Sequence, residues 1–256
     1  MLLWPGFSPG KTQDIRVDKP QEQAKPIDQP AEEPPHRLSQ WLTYYYKTPH
    51  TDSDIEYIKE IFQIGLFNAS NSTPLTMFLA EFFRQNETRI PGWEKQLHQI
   101  PQAQDHLLLR ALWQANSEAS LKVLARWPDK NREKTIQTIK QTPPIDLETL
   151  SIISPEMLDM LWATFFASGN PRYVERIIGV LDLPTDSDQK QARINNLLLV
   201  GAAKWSLSSN AVQHDLVHQT CERFANNDNP VISRAITEIL ERAKVIKAQK
   251  NKPDKR

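Results

Sequence analysis

One cysteine, Cys221, stands among 256 residues. It excludes an intramolecular disulfide and a zinc site of the four-cysteine kind. It leaves the compartment open, because disulfide-free proteins occupy bacterial periplasm as well as cytosol. Glycine is also scarce, at seven residues, too few for the many tight turns of a β-sandwich. Charge of one sign is not in excess either: Lys plus Arg and Asp plus Glu number 31 each. No global field therefore steers the chain towards nucleic acid or an anionic membrane, and specific nucleic-acid binding is not expected. A run of about 18 apolar residues, the length that crosses a bilayer, is missing as well. Met1-Leu2-Leu3-Trp4 is apolar but is broken by Pro5 and Gly6, short of the apolar core of a signal peptide. As written, the chain is expected to be cytoplasmic. The alternative is a periplasmic or membrane-tethered protein whose start codon is misassigned, with an anchor encoded upstream of Met1.

Residues 8–37 hold six prolines and no aromatic residue, interspersed with Gln, Glu, Asp and Lys. Such a segment buries too little apolar surface to offset its ordering entropy, so 1–37 reads as a disordered Pro-rich arm. From Leu38 the pattern becomes helical. The spacing predicts helices over 37–48, 53–67, 74–86, 91–99, 102–115, 117–126, 130–141, 146–152, 155–168, 171–181, 188–204, 208–226 and 230–249. Thr73-Pro74, Ser154-Pro155, Asn170-Pro171 and Asn229-Pro230 each supply a capping side chain followed by a proline whose missing N–H costs nothing in a first turn. Strand-like alternation is lacking. The expected organisation is an all-helical domain over 38–249 and a basic disordered tail over 250–256.

Within that domain, Leu158, Leu161, Trp162, Phe165 and Phe166 form a stripe at helical period, and Gly169 can adopt the left-handed conformation that ends a helix. Asn170-Pro171 restarts the chain, and Val174, Ile177, Ile178 and Leu181 make a second stripe before Pro184. A hairpin with two apolar faces needs neighbours of its own kind, which predicts an array of antiparallel helical hairpins, an irregular α-solenoid. Repetition is faint. Phe78-Leu79-Ala80-Glu81-Phe82-Phe83 echoes Leu161-Trp162-Ala163-Thr164-Phe165-Phe166, but no clean repeat consensus emerges.

Several phrases carry a likeness: Trp41-Leu42-Thr43-Tyr44-Tyr45-Tyr46 with Pro49-His50, Phe78 to Asn86, Leu161-Trp162-Ala163 through Gly169 to Val174, and Lys204 to Ala211. In these the chain resembles a set of uncharacterised bacterial all-helical proteins of helical-hairpin, tetratricopeptide-like character, over about 38–225. The resemblance implies a bacterial origin, a helical fold and an exported location. It brings no activity and no site residue with it.

Chemistry is sparse. Gly10-Lys11-Thr12 is the tail of a phosphate-binding loop, but Pro5 stands where the earlier glycine belongs and the surroundings are proline-rich. His214, His218 and Cys221 fall at i, i+4 and i+7, a spacing suited to zinc if one helix spans them. Asp215 is too short to be the base of a zinc protease, and no third ligand is evident. Cys221 has His218 three residues away as a base, but no oxyanion turn lies nearby. Asp182, Asp186 and Asp188 lack the glycine and closing glutamate of a calcium loop and read as capping residues. Trp41, Tyr44 and Tyr45 share one helix face and are expected in the core. Tyr46 points elsewhere and is the candidate for an exposed, partner-binding aromatic. Seven basic residues between Glu241 and Arg256 read as a solvated helix end.

The expectation is a non-enzymatic interaction or scaffold protein with no cofactor, binding a protein or peptide on a helical-array surface. The alternative is a metal-dependent hydrolase using His214 and His218.

Overall fold

The two phrases that echo each other in sequence lie in the two helices that pack most heavily on one another, α3 (Ser72–Gln85) and α8 (Pro155–Ser168). Every residue of Phe78–Phe83 and of Leu161–Phe166 is buried. In the computed structural model, residues 34–66, 71–101, 105–186 and 188–250 are described. They are all-helical with no strand, and the remaining helices are α1 (Pro34–Tyr44), α2 (Asp54–Gln63), α4 (Ile90–Leu97), α5 (Asp105–Ala115), α6 (Glu118–Ala125), α7 (Glu133–Lys140), α9 (Pro171–Gly179), α10 (Lys190–Gln213), α11 (Asp215–Phe224) and α12 (Pro230–Lys250). Residues 1–33 and 251–256, with Gly10-Lys11-Thr12, most of the expected arm and most of the expected tail, lie outside the described residues.

Helix α3 sits between α8 and α5. A helix flanked on two sides must be apolar over most of its circumference, and Leu75, Phe78, Leu79, Phe82 and Phe83 are all 0% exposed. One apolar cluster runs from Leu38 to Ala243. Because α3 reaches α8 across the chain, and α1 also packs on α8, neighbours in space are not only neighbours in sequence. A solenoid, whose repeats touch only adjacent repeats, is not established by this packing.

The 155–184 hairpin folds as its spacing predicts. Gly169 is left-handed, with φ 65°, and its N–H donates to Phe165 O at 2.7 Å. The Asn170 side chain accepts from Arg172 N at 3.1 Å, capping α9. A Cβ on Gly169 would stand 2.8 Å from Tyr46 Cδ2, so glycine is required there by conformation and by space.

Two expected boundaries moved. No helix forms over 146–152. Asp146 instead accepts from Glu148 N at 2.9 Å and Thr149 Oγ1 at 2.7 Å, and its short side chain satisfies the backbone in a turn. The break expected between 204 and 208 is also absent. Ser206 and Ser208 turn their hydroxyls onto Ala203 O and Lys204 O, at 3.2 and 2.8 Å, and stay within α10. That helix continues to Gln213, and its interruption is His214, with φ −128° and ψ 110°. At its other end, none of Lys190–Leu198 is buried, and Ile194, Leu197 and Leu198 are exposed. No described helix is long and apolar enough to cross a membrane.

Candidate functional site

His214 is the extended residue between α10 and α11, so the helical spacing of His214, His218 and Cys221 does not exist. The imidazole is 0% exposed, packed on Phe166 and Phe165, with Tyr44 and Tyr46 also against it. Its Nδ1 shares a hydrogen bond with Tyr46 Oη at 3.0 Å, and its Nε2 has no partner among the described residues. Burial, with Lys47 adding to it and Asp215 opposing, pushes the His214 pKa down to about 4. His218 is half-buried and reaches Glu222 Oε1 at 3.4 Å along α11. Cys221 is fully buried, and burial, with Glu222 second, pushes its thiol up to about 12. At neutral pH it is a protonated packing residue, not a thiolate. Among the described residues, no three His, Cys, Asp or Glu side chains are grouped to hold a metal ion. The three metal candidates, His214, His218 and Cys221, are therefore not brought together with further ligands.

Tyr46, the expected exposed aromatic, is half-buried. Its ring lies over Gly169 and beside Phe165, 5.2 Å between centroids, and its hydroxyl is committed to His214. The physical reason is that α1 ends at Tyr44 and the chain tightens into a 3₁₀ turn over Tyr45–Lys47. This turn packs on α8. Trp41 and Tyr45 point into the core as their spacing predicts, against Phe78 and Phe82. Tyr44 leaves that face for His214 and Lys47.

The arrangement with open space lies along α3 and α5. The segment 143–147 crosses these helices as a strap, and Gln114 of α5 holds it by both faces of one peptide-like pair. Gln114 Nε2 donates to Ile145 O at 2.8 Å, and Gln114 Oε1 accepts from Ile145 N at 2.9 Å. Trp113 Nε1 donates to Thr142 O at 2.8 Å, and the Arg176 guanidinium donates to Leu150 O, pinning the strap on either side. A cavity of roughly 280 Å³ opens on one side and one of roughly 520 Å³ on the other. Met77, Gln114 and Ile145 line both, so the two cavities adjoin and together form a strap groove divided at the Gln114–Ile145 pair.

The smaller end carries His106 and Arg110. The larger carries Glu81, Asp146 and Glu148 against Arg84, with Tyr173 of α9 and an apolar floor that includes Met77, Ala80, Ala115 and Leu147. Glu81 is buried and bonded to Arg84 and to Gln85 Nε2, the latter at 3.2 Å. Arg84 also donates to Gln114 O and Ala115 O, at 3.2 and 3.3 Å, satisfying carbonyls at the end of α5. Asp146 is held below the usual carboxylate range, first by the Thr149 hydroxyl and then by Glu148 N–H. Tyr173 is 8% exposed, and its hydroxyl makes no hydrogen bond among the described residues, yet is not sealed from solvent. Burial pushes it up to about 12, with Glu81, Glu148 and Asp146 adding and Arg84 opposing, so the phenol is neutral and within the field of all four charges.

None of these groove residues is singled out by the sequence. Gln114 sits inside an apolar helix, Asp146 and Glu148 read as a helix start, and Tyr173 reads as packing. They converge from α3, α5, the strap and α9, a meeting that no local spacing encodes. No family model, curated protein or solved structure matches the chain.

Proposed function

We propose that this chain is a non-enzymatic interaction protein of bacterial origin that holds a segment of a protein or peptide partner in the strap groove of its helical array. The observation that carries this reading is the groove itself: two adjoining cavities, roughly 280 and 520 Å³, on either side of the Gln114–Ile145 pair. Each is open along a helix surface, which suits a chain lying across rather than a small molecule enclosed. Two of its walls belong to α3 and α5, whose inner faces are core, so that part of the surface is held ready before a partner arrives.

Site-specific photocrosslinking tests the assignment. A photoreactive residue at Ile145, itself 36% exposed, is compared with one at Leu198, 63% exposed on the free end of α10. The groove reading expects one protein adduct of constant mass from position 145, lost when Glu148→Lys is added, and none from position 198. Adducts from 198 alone, or none from 145, overturn it.

A further inference from the structure

The larger end of the groove has a chemistry of its own. Its charged lining is three carboxylates, Glu81, Asp146 and Glu148, against one guanidinium, Arg84. Arg84 is already engaged by Glu81 and by two backbone carbonyls. Two further cations are in reach: Arg172 stands 3.7 Å from Glu148 with its side chain 71% exposed, a pairing that solvent makes weak, and Arg176 acts on Asp146 while its guanidinium is committed to Leu150 O. The negative charge of Asp146 and Glu148 is therefore only partly compensated at the mouth.

Acidic groups alone are common on surfaces, and the feature that turns these into a site is Tyr173. The residue is 8% exposed, and its hydroxyl has no partner among the described residues and reaches the solvent of the groove. A ring so deeply buried with its hydroxyl left to the open side presents that hydroxyl to whatever enters the groove. Among these carboxylates the hydroxyl oxygen offers lone pairs to a donor, and a charged donor makes the stronger bond. The same lining includes Met77, Ala80 and Leu147, apolar surface that suits the aliphatic stem of a long basic side chain.

We infer that this end of the groove binds one alkylammonium or guanidinium group, held by Asp146, Glu148 and the Tyr173 hydroxyl. The inference rests on the interaction reading above, which would supply that group as a lysine or arginine of the partner segment. A free diamine offers the same chemistry.

Amide spectra of the ¹⁵N-labelled full chain, titrated with defined probes, decide it. The probes are acetyl-Ala-Ala-Lys-Ala-Ala-amide, its arginine and norleucine counterparts, and putrescine. The lysine and arginine peptides are expected to shift amides in 145–149 and 170–174, while the norleucine peptide does not. Asp146→Asn with Glu148→Gln is expected to weaken binding at least tenfold, and Tyr173→Phe alone several-fold. Asp146→Asn keeps the oxygen that accepts from Glu148 N, so the turn survives. Putrescine matching the lysine peptide supports the cation site and makes a free diamine its source, whereas putrescine much weaker makes it a side-chain pocket. Equal shifts from the norleucine peptide, or none from either cationic peptide, overturn the inference. The interaction reading survives that failure if position 145 still captures its partner.

Discussion

Gln114 grips Ile145 at both its N–H and its C=O, at 2.9 and 2.8 Å, replacing with one side chain the pairing that a neighbouring strand would give. That grip holds the strap across the groove. Gln114→Leu keeps the volume and removes both bonds, leaving two backbone groups to seek water. A loss of about 1–3 kcal/mol is expected in urea unfolding, with faster amide exchange over 143–149. Unchanged exchange there would mean that Trp113 and Arg176 suffice to hold the strap.

Two glycines give opposite outcomes. Gly169→Ala forces a side chain into a φ of 65° and towards Tyr46 Cδ2 at 2.8 Å, and is expected to cost more than about 1 kcal/mol. Gly201→Ala lies in α10 with nothing within 4 Å of the added carbon. It is expected to stabilise by roughly 0.5–1 kcal/mol through helix propensity alone. Chemical denaturation of the pair checks both signs, and equal effects would contradict the packing of Tyr46 on Gly169.

His214 makes stability depend on pH. Its folded pKa of about 4 lies below the ordinary 6.5, so between these values the unfolded chain takes up a proton that the folded chain does not. The contribution of His214 is full above about pH 6.5, falls as pH drops through the window, and levels off near pH 4. At about 1.4 kcal/mol per pH unit, the loss reaches about 3 kcal/mol. Asp159, raised to about 7 by burial, works in the opposite sense, but it is common to parent and variant. The stability difference between parent and His214→Leu should therefore change across pH 4–6.5, and parallel curves would contradict a buried neutral imidazole.

The hairpin around Gly169 was legible because its signals are local: a stripe, a left-handed residue, a cap and a proline within 30 residues. The fate of His214 was not. Whether Ser206 and Ser208 break a helix or fold their hydroxyls back into it depends on what packs outside, and the same uncertainty decides whether His214 and His218 share a face. Tyr46 was misplaced because a 3₁₀ turn redirects side chains that continued α-helix would send elsewhere. Asp146 looked like a helix start and became a turn because Gln114, over 30 positions earlier, claims the backbone beside it.

Trp162 and Tyr173 separate packing from recognition. Trp162 is 3% exposed and stacked on Phe166, with its indole N–H unpartnered among the described residues. Trp162→Ala is expected to cost about 3–5 kcal/mol, as large buried aromatic truncations do. Tyr173→Phe removes a hydroxyl with no partner among the described residues and should leave the thermal midpoint close to that of the parent. A large drop would place that hydroxyl in a structural role.

The most direct test of the groove as the binding face is hydrogen–deuterium exchange on the full chain, free and loaded with the partner captured through position 145. The account predicts new protection in 143–149 and 170–174, with Ile194–Leu198 exchanging as before. Protection confined to Ile194–Leu198, with the strap unchanged, would contradict it and move the binding face to the free end of α10.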